Sequence, residues 1–207
     1  MKKYLNSGSF LQLIFILFIA ILPVQLIVFR SWHGAFVSFI GALAFVLIWV
    51  IKKRFLLELS APLEIYYGFL IFSSLFLGEL YDFYYRFQWW DDMLHLCSGI
   101  FFAVIGYSII TVQTSGLTQR LNAVFAFSFS LACSVMWEIL EFSIDVLFQT
   151  NMQKFMGLEG QAALMDTMVD LIVNAFGAGL FLLLLYLNGR YQWQVVEKIV
   201  FKKTDPK

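Results

Sequence analysis

The chain has 207 residues, of which 61% are apolar, and its mean hydropathy is +0.80. Soluble domains carry roughly 45–50% apolar residues, so a soluble monomer is excluded. The 14 Lys plus Arg cancel the 14 Asp plus Glu, which leaves no overall basic field to recruit nucleic acid as a partner.

A hydrocarbon slab about 30 Å thick takes about 20 apolar residues in helical form. Six stretches meet that length in chain order: Phe10 to Phe29, His33 to Ile51, Pro62 to Tyr81, Asp92 to Val112, Leu121 to Phe148 and Asp166 to Leu187. Unpaired backbone groups are intolerable in lipid, so these runs must be helices, and their unbroken apolarity excludes the alternation of an outer-membrane barrel. The first run follows Met1-Lys2-Lys3 but is too long for a signal peptide and has no A-x-A-like cleavage site behind it. The third opens with Ser60 before Pro62, a serine cap with proline at the helix start. The long connection from Gln149 to Met165 mixes Met152, Phe155, Met156, Leu158 and Leu164 with Gly157 and Gly160, which suits an interfacial lid or an irregular shield over helix ends. The expected fold is all-α, a polytopic bundle of six transmembrane helices forming one domain over 1–207. Cys97 and Cys133 lie in apolar runs without CxxC spacing and read as small apolar packers.

Orientation follows from the basic residues. With the N-terminus cytoplasmic, 11 of the 14 Lys and Arg fall inside: Lys2, Lys3, Lys52, Lys53, Arg54, Arg120, Arg190, Lys198, Lys202, Lys203 and Lys207. The remaining 3, Arg30, Arg86 and Lys154, fall outside. Both termini are therefore expected in the cytoplasm. Trp32, Tyr84, Tyr85, Trp89 and Trp90 fit an outer aromatic belt, and Trp49, Tyr66, Tyr67, Tyr191 and Trp193 an inner one.

The acids separate the other way. Ten of the 14, Glu79, Asp82, Asp91, Asp92, Glu138, Glu141, Asp145, Glu159, Asp166 and Asp170, map to the outer side, against Glu58, Glu64, Glu197 and Asp205 inside. The positive-inside bias concerns basic residues and does not require this. Helical spacing sharpens the pattern: Asp91 and His95 are four apart, with Asp92 three from the histidine; Glu138, Glu141 and Asp145 follow i, i+3, i+7; Asp166, Asp170 and Asn174 follow i, i+4, i+8. Glu79 and Asp82 place a further pair on the third helix.

An ionised side chain at the bilayer centre costs roughly 2.5–3.5 kcal/mol on insertion scales, so such groups face the bundle interior and pair. Arg86 and His95 are too few to neutralise these acids. Either some carboxyls stay neutral or bound cations compensate them. Carboxylates with one imidazole suit Mg²⁺, Mn²⁺, Ca²⁺ or Zn²⁺ and not a soft thiolate metal. The expected ligands of a divalent cation are Asp91, His95, Glu138, Glu141, Asp166 and Asp170. Plainer roles compete: Asp82, Asp145 and Glu159 as solvated helix ends, Asp92 as an acid favoured by the helix dipole, and His33 as an interfacial residue. Gly177 and Gly179 with Ala175 and Ala178 suit close helix contact.

Three pieces, Asp91-Asp92-Met93-Leu94-His95 with Gly99, then Trp137-Glu138-Ile139-Leu140-Glu141, then Asp166 through Asp170 to Asn174 and Gly177, resemble the bacterial inner-membrane proteins of the YjdF type. They are more distantly similar to the VanZ-like membrane family, with its D-x-x-x-H, E-x-x-Q and D-x-x-x-N-x-x-G series. Glu141 stands where the VanZ pattern has glutamine. The resemblance covers about residues 60 to 190 and implies a membrane protein without assigning an activity.

Three functions fit these residues. In the first, a metal-dependent hydrolase or transferase acts at the outer leaflet on a membrane lipid or lipid-linked substrate. Its cation polarises an ester or phosphoryl oxygen, His95 or Glu141 serves as general base, and Asn174 orients a ligand or substrate. The second is an ion-coupled transporter or proton relay, which the absence of visible repeats and the outward skew of the acids oppose. The third is a non-catalytic scaffold around a cation-stabilised acidic cluster. Association into a homo-oligomer is left open.

Overall fold

The computed structural model describes residues 7–114, 116–153 and 161–203. Its long helices are α1 (Ser7–Ile27), α2 (Trp32–Phe55), α3 (Ala61–Ile71), α5 (Trp90–Gln113), α6 (Gln119–Phe148) and α7 (Gln161–Tyr191). Between and after them stand the short helices α4 (Phe83–Arg86) and α8 (Val196–Ile199). Among the described residues six helical segments are long and apolar enough to cross a membrane, each within a few residues of its expected limits. Local chemistry sets the starts: Ser31 Oγ accepts from Gly34 N at 3.0 Å, Ser60 Oγ from Leu63 N at 3.4 Å and Thr118 Oγ1 from Leu121 N at 3.4 Å. Each supplies a partner to a backbone donor that the first turn leaves unpaired.

The third span departs from a plain α-helix. After Ile71 the chain continues as π-helical turns over Phe72–Leu80, in which backbone bonds reach five residues back, as in Tyr81 N to Phe76 O at 3.2 Å. At its end Asp82 adopts a left-handed conformation and leads into α4. Tyr84 from α4 is buried, its hydroxyl 3.0 Å from Ser74 Oγ. Tyr84 and Trp90 are thus both buried inside the protein and not in an interfacial belt, whereas Trp32, Tyr85 and Trp89 are exposed.

By contact the structure divides into two compact units, Met1–Gln88 with Glu197–Lys207, and Trp89–Val196. The first packs α1 against α2 and α3 around Ile14, Phe18, Ala42 and Phe45. Strand β1 (Leu57–Glu58) pairs antiparallel with β2 (Lys202–Lys203), placing Glu58 opposite Lys202, and Ser60 Oγ donates to Ile199 O at 3.0 Å. These bonds hold Ile199 and Lys202–Lys203 against the α2–α3 connection. The second unit is a three-helix arrangement in which α5 packs on both α6 and α7, and α6 packs on α7.

The closest packing in the second unit is between α5 and α7. A Cβ at Gly99 would fall on the carbonyl oxygen of Asn174, and one at Gly177 on the carbonyl oxygen of Leu96. Only glycine lets the backbones approach this far, the small-residue contact that substitutes for a hydrophobic driving force in lipid. Gly177 thus has the packing role its sequence suggests, while Gly179 faces open space.

Candidate metal centre

The second unit brings together acids from three helices. His95 projects from the second turn of α5, and its Nε2 lies 3.6 Å from Asp91 Oδ1 one turn earlier, 3.8 Å from Glu138 Oε1 of α6 and 3.9 Å from Asp170 Oδ1 of α7. Ligand atoms of Asp91, His95 and Asp170 all stand within 4.8 Å of one another. His95, Glu138, Glu141 and Asp170 are buried, none more than 9% exposed, and Asp91 is half-buried. Glu141 faces Glu138, Asp91 and Asp170 within electrostatic reach; Asp166 faces Asp92, and Asp170 faces both.

The charge balance is one-sided for a reason readable in the helices. Neither α5 nor the length of α7 before Arg190 carries Lys or Arg, and the sole basic residue of α6, Arg120, lies at the opposite end from Glu138. His95 is therefore the one basic side chain these three helices place at the cluster. Rise per residue puts His95 about 8 Å from the start of α5, Asp170 about 14 Å from the start of α7 and Glu138 about 15 Å from the end of α6. The cluster is thus set inside the bundle, where a carboxylate needs a partner. Two do not find a full set: Glu138 Oε1 and Asp166 Oδ2 are buried with no hydrogen-bond partner among the described residues.

A polar knot directly beneath fixes the histidine. Asn174, 1% exposed on α7, donates through Nδ2 to His95 O at 3.4 Å and to Ser98 Oγ at 3.3 Å. Ser98 Oγ also donates to His95 O at 3.0 Å. From α6, buried Ser130 donates to Gly99 O at 2.9 Å and lies 3.3 Å from Asn174 Oδ1. All three helices meet in this network, which the candidate residues alone did not reveal. One signal pointed to it: Ser130, Ser134, Glu138 and Glu141 follow i, i+4, i+8 and i+11 and form the buried polar face of α6.

The remaining acids have their own places. Asp145 accepts from Thr150 Oγ1 and Met152 N at 2.6 Å and from Gln153 N at 3.0 Å, so it closes the turn after α6. Glu79 belongs to the first unit, 3.4 Å from His33 Nε2, and Asp82 is exposed there. Glu64, also in the first unit, is buried and paired with Lys52. Cys97 and Cys133 are partly buried, and among the described residues neither forms a disulfide. Lys2, Lys3, Lys154, Phe155, Met156, Gly157, Leu158, Glu159, Gly160, Asp205 and Lys207 lie outside the described residues.

Fold and cluster together define a polytopic α-helical membrane protein with an acidic, single-histidine centre in its second unit. Residues 10–190 match the family described as "Predicted membrane protein (DUF2238)", and the chain belongs to that family. It is similar to a Thermotoga maritima protein described as uncharacterized, with 32% identity over 130 residues, which are 59% of this chain and 64% of that relative. The match thus spans a little under two thirds of the relative's length. No solved structure matches the chain.

Proposed function

We propose that the protein is a membrane-embedded, metal-dependent enzyme of hydrolase or transferase type, acting near the outer leaflet on a lipid or lipid-linked substrate. The observation that carries this reading is the placement of His95 Nε2 at 3.6–3.9 Å from carboxylate oxygens of three residues, one on each of α5, α6 and α7. Donor atoms about 2.0–2.2 Å from a tetrahedral ion such as Zn²⁺ stand about 3.4 Å apart, so the 3.6–3.9 Å contacts of His95 Nε2 are near that spacing, and the Asp91, His95 and Asp170 ligand atoms, within 4.8 Å of one another, would have to draw together around the ion.

In this reading Asp91, His95 and Asp170 hold the cation, with Glu138 completing the set through its unpartnered oxygen. A divalent cation held by these residues would supply Lewis-acid polarisation of an ester or phosphoryl oxygen. Glu141, buried beside the set, would serve as general base, and Asp166 would accept a hydrogen bond from water at the site. Asn174 acts as a positioning residue, because its amide is spent on the backbone of α5 and on Ser98. The excess of basic residues on the side of both termini supports a cytoplasmic location for those termini and an extracytoplasmic location for the centre in a bacterial inner membrane.

A pump or carrier is less well supported. Glu64, the acid in the inner half that such a pathway would use, is occupied by Lys52. Elemental analysis of the detergent-purified protein beside His95→Ala and Asp170→Asn tests the proposal. About one equivalent of divalent metal is expected in the wild type and little in either variant; wild-type protein without metal, or Asp170→Asn with full metal, overturns it.

A further inference from the structure

A groove of about 650 Å³ runs along the junction of α6 and α7 and is lined by Glu138, the same residue whose Oε1 faces His95. Its volume falls in the range of ligand pockets, roughly 300–1,000 Å³. The wall is hydrocarbon along its length: Val135, Ile139, Phe142 and Val146 from α6, Leu164 and Leu171 from α7. Polar groups gather at the end where α6 stops and α7 starts, namely Asp145, Thr150, Gln153 and Thr167. An apolar trough with one polar end matches an amphiphile with its chain along the helices. Both helices are membrane spans, so the surrounding medium supplies such molecules at high concentration.

The lining also selects among headgroups. Among the described residues it contains two carboxylates, two hydroxyls and an amide, and no Lys or Arg. A net anionic head meets no protein cation there among the described residues, whereas a head carrying an ammonium finds carboxylates. Asp145 already accepts three hydrogen bonds from the turn after α6, while Glu138 Oε1 is buried and lacks a hydrogen-bond partner among the described residues. The groove therefore reaches the histidine at Glu138, whose Oε1 lies 3.8 Å from His95 Nε2.

We propose that the α6–α7 groove takes an acyl chain of a zwitterionic, amine-bearing diacyl phospholipid and delivers its headgroup past Glu138 to the Asp91–His95–Asp170 centre. The inference rests on the proposed metal centre for the place the headgroup takes; the chain site stands on the groove alone.

The test uses the full chain in nanodiscs of phosphatidylethanolamine and phosphatidylglycerol, doped with phosphatidylethanolamine bearing a diazirine in one acyl chain. After photolysis, mass spectrometry should place labels on α6 and α7 groove residues at least fivefold above those on exposed Phe36 and Phe39 of α2. Ile139→Trp and Leu171→Trp, which fill the trough from opposite walls, should each remove that excess, and the matching diazirine phosphatidylglycerol should label the groove less. Labelling spread evenly over the apolar surface overturns the chain site, and equal or stronger labelling by phosphatidylglycerol overturns the headgroup assignment. Thermal melts of both Trp variants separate loss of the groove from loss of the fold. Metal content on the same samples keeps the two readings apart: metal-free wild type with groove labelling overturns the proposed function and retains the groove, and metal-loaded wild type without it does the reverse.

Discussion

Asn174 of α7 donates its side-chain amide to the main-chain carbonyl of His95 on α5 at 3.4 Å. That bond joins the packing of the second unit to its chemistry, because the same asparagine sits where Gly99 lets the two backbones touch. A polar group in hydrocarbon that lost this partner would remain buried. The contact therefore fixes both the spacing of α5 and α7 and the height at which the imidazole meets Asp170.

Asn174→Ala should lower metal affinity about 10- to 100-fold, the usual cost of losing an outer-shell support, while leaving the ligands in place. Titration with a competing chelator measures it. Unchanged affinity would detach the knot beneath His95 from metal binding.

Gly99→Ala and Gly177→Ala should each destabilise the fold by about 1–3 kcal/mol, the cost of overpacking against a group that cannot move aside. The obstruction in both cases is backbone carbonyl. Gly179→Ala, which meets nothing, should be neutral or slightly stabilising because alanine favours helix. Melting curves in one detergent compare the three, and equal behaviour would contradict the close α5–α7 approach.

Removing the cation should lower the melting temperature. A site saturated about 100-fold above its dissociation constant contributes about 2.7 kcal/mol, and about 2–4 °C per kcal/mol gives a drop of about 5–10 °C. Chelator followed by readdition of metal should lower and restore the wild-type value. Asp170→Asn should respond to neither.

In the first unit, Lys52→Met should cost about 1–3 kcal/mol, since it leaves the carboxylate of Glu64 buried without its charge partner. Lys52→Met with Glu64→Leu should recover most of that loss. A double-mutant cycle by thermal melting gives the coupling, and additive effects would show the pair to be energetically idle.

Alkaline phosphatase fused after Lys203 should be inactive and fused after Thr150 active, if the cluster end of α6 lies outside the cytoplasm. The opposite result would invert the proposed orientation.

Much of this was already written in the chain. Six apolar runs dictate six helices, because lipid offers backbone groups no other partner, and Ser31, Ser60 and Thr118 mark three starts within local reach. Periodicity also placed Asp91 with His95, Glu138 with Glu141, and Asp166 with Asp170, since residues three or four apart share a helix face. Tertiary packing alone decided that α5, α6 and α7 face one another in a unit of their own, that Glu79 has His33 beside it, and that Asp145 closes a turn. It also decided the π-helical turns of Phe72–Leu80 and the meeting of Ser98, Ser130 and Asn174. Face periodicity describes one helix at a time, whereas which faces meet depends on the fit of backbones and side chains between helices distant in sequence, and no spacing within a single helix carries that information.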